Sequence, residues 1–329
     1  MTNPAALSAK HRAVLAGARL LFSLRHPLLM ARFVRRLGYL PNPAAPASYH
    51  ERLLWRKIVD RNPLFVTLTD KLAAKAYIGE TRTTLPQPAT LWSGRDPANI
   101  PQDLLARDVV VKVNHGWTMN LFLSGGLPDH TTVVRKAGRW LTRRFGRRDG
   151  EWAYQPIKPA VFVEERLRLR GGSIATDVKV YVCGGRVCHA WAEDKLADRS
   201  HLFDRDGTPL SGRDSDYPRE DQSLTVSASL LDCVREAIAA APLIAGDLDY
   251  VRVDFLVSDN GLFVGEVAVY PGAGYGTWTN PAIAKEIERC WRLDQSHYLR
   301  RRHTGLSRFY AEALLAKCAI DISGAQSRR

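Results

Sequence analysis

The chain is 329 residues long, 45% apolar, 25% charged and 9% aromatic. That is the composition of a folded protein with two lobes, or one domain and a satellite. It excludes whole-chain disorder, and no apolar run is long enough to span a bilayer. Lys and Arg number 47 against 34 Asp and Glu, a net charge of +13. Such a surface attracts polyanions, and charge alone does not choose among nucleic acid, anionic lipid, nucleotide and acidic polysaccharide.

Residues 1–45 read as basic helix, with Arg12, Arg19, Arg25, Arg32, Arg35 and Arg36 among leucines and phenylalanines, and with Pro27 splitting it. Two readings stand: a helix packed on the main body, which the interruption at Pro27 favours, or a helix lying on an anionic membrane. The stretch Ala13–Leu24 is broken by Arg19 and followed by Arg25, His26 and Pro27 without a cleavage site, which reads against export. After the linker Pro41–Pro46, helices are expected over Tyr49–Asp60 and Asp70–Glu80, the second behind the cap pair Thr69–Asp70. Leu85–Leu91 reads as a turn and short strand. Ala98–Ala106 reads as a helix with Pro101 early in it, and Asp108–Val113 as a buried strand interrupted by Lys112. The densest basic run, Arg135, Lys136, Arg139, Arg143, Arg144, Arg147 and Arg148, is a solvated face or a polyanion contact.

Strands over Val161–Val163, Val178–Val182 and Val187–Trp191 follow, with turns at Gly171–Gly172 and Gly184–Gly185. Asp204–Pro218 is polar and turn-rich, and Leu224–Ala241 is a helix ended by Pro242. Tyr250–Val257 and Leu262–Tyr270 form a strand pair, and helices run from Pro281 to a charged tail. The hairpins argue for α+β architecture rather than a doubly wound sheet. Neither GxGxxG nor GxxxxGK[ST] occurs, which disfavours a Rossmann unit and a P-loop. The five cysteines lack any CxxC, so neither a zinc cluster nor a disulfide framework is signalled, and a reduced cytoplasm fits.

The strongest chemical signal is VRVDFLV-SDNG-LFVGEV. If the loop is the three residues Asp259–Gly261, Ser258 faces Leu262 and Asp254 faces Glu266, with Arg252 on the same face. Two opposed carboxylates in an apolar strand pair repel, and a divalent cation resolves the conflict. Mg²⁺ takes carboxylate oxygens together with phosphate oxygens and water, so a nucleotide site meets the demand. The alternative is a structural network in which Arg252 pairs with the acids. A two-residue loop of Asn-Gly would slip the register and separate them.

With YPGAG downstream, this hairpin resembles the metal-binding hairpin of ATP-grasp ligases, including the D-alanine–D-alanine ligase type. DRNPLFVTLTDKLAAKAYIGE, VVVKVNHGWTMN, EWAYQPIKPAVFVEERL and DVKVYVCGG precede it in that order. Together they resemble the TupA-like ATP-grasp family, named for teichuronopeptide biosynthesis, over roughly Tyr49 to Trp278. The resemblance implies an ATP-grasp fold, two α+β lobes clamping a nucleotide. The divisions expected are a basic helical extension and linker over 1–46, an ATP-grasp domain over 47–318 with its hinge near 161–167, and a disordered charged tail over 319–329.

It further implies that Lys71, Lys112, Asn114, His115, Gly116 and Asn120 contact ATP, the last four on a loop over the phosphates. Glu164 or Glu165 reads the nucleotide at the hinge, and Asp177 lies in the same site. Asp254 and Glu266 hold Mg²⁺, while Arg252 and Lys179 act on the reacting groups. Lys179 has a surface ion pair as its alternative, and Lys112 has a snorkelling surface lysine. Two departures stand out. Trp117–Thr118 replaces a small residue of the loop, and Ala268 stands where many relatives place a further metal ligand.

The implied activity is an ATP-dependent carboxylate–amine ligase that forms an acyl phosphate. It would join an amino acid or amine to an acidic glycan or other carboxylate substrate of the cell envelope. A kinase on a hydroxyl and a nonenzymatic nucleotide- or glycan-binding module are the alternatives. A nucleic-acid partner is not expected, because charge is its only support. The expected location is cytoplasmic, with the inner membrane face and peripheral contact through residues 1–45 as a further option.

Overall fold

The computed structural model describes residues 6–168, 176–212, 223–278 and 280–326. The N-terminal basic segment forms α1 (Ala9–Arg25), capped by Ser8, and α2 (Pro27–Leu37), which starts on Pro27 and stops at the left-handed Gly38. Proline suits a first helical position and cannot sit inside a continuous helix, so the pair bends by 95° there. Next come α3 (Tyr49–Ile58), held by a reciprocal cap between Ser48 and Glu51, the short α4 (Leu64–Thr69), and α5 (Lys71–Gly79). Asp70 caps α5 by accepting from the backbone N–H groups of Leu72 and Ala73, as its sequence implied.

The chain continues through β1 (Thr90–Gly94), α6 (Gln102–Leu105), β2 (Val109–Val113), β3 (Asn120–Leu123), α7 (His130–Leu141) and β4 (Val161–Glu165). The helix expected over Ala98–Ala106 is instead a 3-10 turn at Pro97–Asn99 and the single turn α6. Pro101 between them lacks the N–H that a continuous helix needs. There follow β5 (Thr176–Cys183), β6 (Arg186–Asp194), β7 (Arg199–Asp204), β8 (Pro209–Leu210), α8 (Ala228–Ala245), β9 (Val251–Ser258) and β10 (Gly261–Ala268). Gly184 and Gly185, both at positive φ, turn β5 into β6. The turn expected at Gly171–Gly172 and most of the polar stretch up to Pro218 lie outside the described residues.

Pro242 does not end α8. It sits within the last turn, and Gly246 closes the helix by donating to the Pro242 carbonyl. The last elements are α9 (Pro281–Cys290), α10 (His297–Arg300) and α11 (Gly305–Gln326). Residues 319–326, expected in a disordered tail, extend α11, and a Lys317–Asp321 pair at 2.5 Å spans one of its turns.

Two antiparallel sheets result. The smaller runs β1-β4-β2-β3, the larger β10-β9-β5-β6-β7-β8. The expected hinge segment carries the last strand of the small sheet, and the large sheet begins at β5. One face of the small sheet, with Val109, Val111, Val161 and Val163, buries against Val133 and Ala137 of α7. One face of the large sheet, with Val178, Val180, Val253 and Phe255, buries against Val234, Ala237 and Ala241 of α8. Strand periodicity therefore sends the alternate residues of both sheets to the opposite faces, where the charged side chains stand. A further aromatic core joins the far end of the large sheet to α1, α3, α9 and α11 through Leu15, Trp55, Tyr250, Trp291 and Tyr310. The α1–α2 pair is thus packed on the body, through α1 against α11 and α2 against α3. Among the described residues no single helix is long and apolar enough to cross a membrane.

Candidate active site

The β9–β10 ribbon reaches the expected pairing by an unexpected route. Its turn is the two residues Asp259–Asn260, and Gly261 pairs with Ser258. That register alone would oppose Asp254 to Gly265. A β-bulge between Val264 and Glu266 inserts one extra residue and restores Glu266 opposite Asp254. A Cβ at Gly265 would lie 3.1 Å from the Asp254 carbonyl oxygen, so glycine suits the bulge.

Glu266, Asp254, Lys179 and Trp191 then form one row across β10, β9, β5 and β6. Each acid has its own side-chain cation. Arg252 grips Asp254 with Nε and Nη2, each 2.6 Å from one carboxylate oxygen. Lys71 Nζ lies 2.7 Å from Glu266 Oε2. The repulsion that the sequence seemed to hand to a divalent cation is balanced by these two groups. Lys71 holds the half-buried Glu266 carboxyl down to about 2, against the opposing effect of desolvation. Burial pushes the Asp254 carboxyl up, although Arg252 opposes the shift. Farther along the face, Lys179 is buried and pairs with Glu193, with Asp177 at 4.0 Å, and Lys195 joins both acids. Lys179 is therefore in a buried network rather than a surface pair, and it lies over the Trp191 ring at 4.6 Å.

On the small sheet Lys112 is not a lone charge. It pairs with Glu164 from the neighbouring strand, and Lys75 reaches the other oxygen of Glu164 at 3.0 Å. Burial alone would raise Glu164; the two ammonium groups outweigh it and hold the carboxyl below its usual range. The register also decides between the two hinge acids. Glu164 shares the face of Lys112, whereas Glu165 points to the other face and accepts from the Ala89 N–H at 2.7 Å. Asn120 is the cross-strand partner of Lys112 and is exposed beside it.

The remaining loop candidates are packed rather than open. Asn114 spends its side chain on the backbone of Lys158 and Ala160, at 3.2 and 2.8 Å. His115 is buried, which holds its ring below the usual imidazole range and leaves it neutral. Gly116 sits against Met119 and Phe145, where a Cβ would collide with both. Trp117 is half exposed and meets the Phe145 ring edge-on at 5.2 Å.

α5 ties the two sheets together. Its Lys71 N–H donates to the Asn114 carbonyl at the end of β2, its Lys71 ammonium reaches β10, and Lys75 one turn later reaches β4. A cleft lined by Lys71, Lys75, Tyr154, Glu266, Ala268 and Tyr270 opens along it. Lys75 was legible as the i+4 neighbour of Lys71, whereas Glu193 carried no local signal.

Two carboxylates on one face, each binding through one oxygen, supply two of the six positions of an octahedral shell, and among the described residues no group of three acidic, His or Cys ligands occurs. That donor set fits Mg²⁺, which draws its other ligands from phosphate and water, better than a metal needing a full protein cage.

The family described as TupA-like ATPgrasp matches residues 51–287. Among solved structures, the chain is similar to the D-alanine–D-alanine ligase from Coxiella burnetii, at 15% identity and a TM-score of 0.42, covering 86% of this chain and 70% of that one. It is similar to the ATP-grasp ligase PsnB complexed with minimal precursor, at 15% identity and a TM-score of 0.35, covering 78% of this chain and 62% of that one. It is also similar to the L-amino acid ligase from Bacillus licheniformis, at 13% identity and a TM-score of 0.40, covering 63% and 44%. The chain thus spans less than two thirds of the PsnB chain. No curated protein matches it.

Proposed function

The chain belongs to the TupA-like ATP-grasp family, and on that premise we propose that it is an ATP-dependent ligase joining a carboxylate to an amine. The observation that carries this reading is the alignment of Glu266, Asp254 and Lys179 in one row, with Lys71, Arg252, Lys75 and Lys112 around it. Lys75 and Lys112, set side by side by Glu164, present two ammonium groups to a polyphosphate. Asn120 adds an amide donor beside them. Asp254 and Glu266 would hold Mg²⁺, which neutralises phosphate charge when bound.

A substrate carboxylate oxygen attacks the γ-phosphorus, the bond to the ADP oxygen breaks, and an acyl phosphate forms. The amine nitrogen then attacks the acyl carbon, loses a proton, and phosphate leaves. Arg252 would meet the negative charge of these steps, with Lys179 in the same role. An acidic envelope glycan as carboxylate substrate fits the +13 charge of the chain.

The test is ADP release with magnesium over a panel of acidic glycans, amino acids and amines. Asp254→Asn and Glu266→Gln, assayed at a temperature where circular dichroism shows each variant folded, are each expected to lower turnover at least about a hundredfold. Retained turnover in Asp254→Asn overturns the site. Mass spectrometry separates an amide with free phosphate from a phosphorylated hydroxyl, the product of a kinase. A second reading, nucleotide binding without turnover, draws on Ala268 and on Arg252 occupying both Asp254 oxygens. It requires ATP binding with no magnesium-dependent ADP release.

A further inference from the structure

The N-terminal helices carry a surface that the nucleotide site does not use. On α1 the residues Ala13, Ala16, Gly17, Leu20 and Leu24 are all exposed. Their spacing places them on one face of the helix. The opposite face, with Leu15 and Phe22, packs into the body. At the 95° bend the stripe continues into α2, where Pro27, Leu28 and Ala31 are exposed. Leu20, Leu24 and Leu28 are 62%, 69% and 81% exposed, and together they make an apolar apex at the corner of the two helices. An apolar cluster of this kind marks a contact surface.

Its flanks are basic without exception. No acidic residue occurs between Ser8 and His50. Arg12, Arg19, Arg25, Arg35 and Arg36 are exposed beside the stripe. The dense basic run of the sequence joins the same surface. Arg32 of α2 pairs with Asp149 at 2.8 Å and also donates to the Arg148 carbonyl, and Leu29 packs under Gly150. This anchors the exposed Arg147 and Arg148 next to α2, with Arg143 and Arg144 exposed a few residues before them.

We propose that the α1–α2 corner and the adjoining 143–148 segment dock on an anionic lipid bilayer, the leucine apex entering the headgroup region and the arginines meeting lipid phosphates. Leucines flanked by arginines match the two layers of such an interface, apolar acyl boundary inside and negative charge outside. A nucleic acid would use the arginines and leave the leucines in water. A second copy of the chain would bring a second set of like charges against the first. Phe145 within the 143–148 segment packs on the Gly116–Trp117 turn, so the test relies on the leucines and arginines of α1 and α2, which lie outside the nucleotide site.

The test is co-sedimentation of the full chain with phosphatidylcholine vesicles, with and without phosphatidylglycerol. Binding is expected only to the anionic vesicles, weakening steeply as salt rises from about 0.1 M to about 0.5 M. The triple variant Leu20→Ser, Leu24→Ser, Leu28→Ser replaces exposed residues and keeps the native melting temperature. It is expected to partition about tenfold more weakly or worse. Replacing Arg19, Arg25, Arg35 and Arg36 by Gln is expected to weaken binding as much and to flatten the salt dependence. Three results overturn the proposal: no binding to anionic vesicles, full binding by the leucine variant, which would mark a patch for polyanions in general, or a wild-type dimer that the leucine variant turns into a monomer.

Discussion

Arg56 anchors α3 behind the β9–β10 ribbon, and its loss has a magnitude that the surroundings define. Its side chain and that of Asp249 are 0% and 2% exposed and pair at 2.7 Å. The guanidinium also donates to the carbonyls of Tyr250 and Val269, at 2.8 and 3.0 Å, the residues just before β9 and just after β10. It lies 4.7 to 5.4 Å from the Trp291, Phe65 and Tyr250 rings. Methionine refills most of that volume, so Arg56→Met isolates the charge. It leaves Asp249 buried with Trp291 Nε1, at 2.7 Å, as its remaining donor of the pair. Breaking one side of such a pair costs about 3–5 kcal/mol, which in a chain of this size is a fall in melting temperature of roughly 4–7 °C. Arg56→Met with Asp249→Asn removes the stranded charge and keeps an oxygen for Trp291. The double variant is expected to regain about 2 kcal/mol over the single one. Urea denaturation of the four proteins of the cycle measures it. A cost below about 1 kcal/mol, or a double variant no more stable than Arg56→Met, refutes the argument that an uncompensated buried charge sets the penalty.

Burial, with Asp249 next, pushes the Asp60 carboxyl up from 3.8 to about 7. The native state therefore keeps a proton that the unfolded chain has lost, and this stability, full below the unfolded value, disappears as pH rises through about 7. Asp60→Asn keeps the bond to the Tyr298 N–H. The variant is expected to gain on the wild type in chemical denaturation as pH rises from about 4 to about 8; a pH-independent difference would contradict the assignment. Gly116→Val pushes a side chain into Met119 and Phe145. It is expected to cost about 1–3 kcal/mol and to weaken ATP binding measured by calorimetry, because Phe145 supports Trp117; unchanged affinity would separate this turn from the nucleotide.

The site was partly legible because some of its geometry is local. Asp70 as the cap of α5, Lys112 inside a valine strand and the two acids of the β9–β10 ribbon follow from spacing within a few residues. What those charges meet did not follow. Lys112 looked unpaired because its partner Glu164 is 52 residues away on β4, and Lys71 finds Glu266 195 residues on. The facing acids were anticipated from a three-residue loop. A two-residue turn and the bulge at Gly265 cancel to give the same pairing. The failures at Pro101 and Pro242 run in opposite directions. Proline interrupted a weak, short helical segment, yet the longer α8, held by its buried face on the large sheet, carries one in its last turn.

By itself the sequence determined the alternation of buried and charged positions along each strand, the caps and breaks of the helices, and the family. These depend on side-chain period, backbone torsion and short-range hydrogen bonds, all set within one turn or one hairpin. Only the tertiary structure decided that α5 bridges two sheets, that Glu164 rather than Glu165 meets the lysines, and that Arg56 and Asp249 close behind the ribbon. Those pairings join strands and helices far apart in the chain, and sheet register, which one inserted residue can reverse, selects which charges share a face.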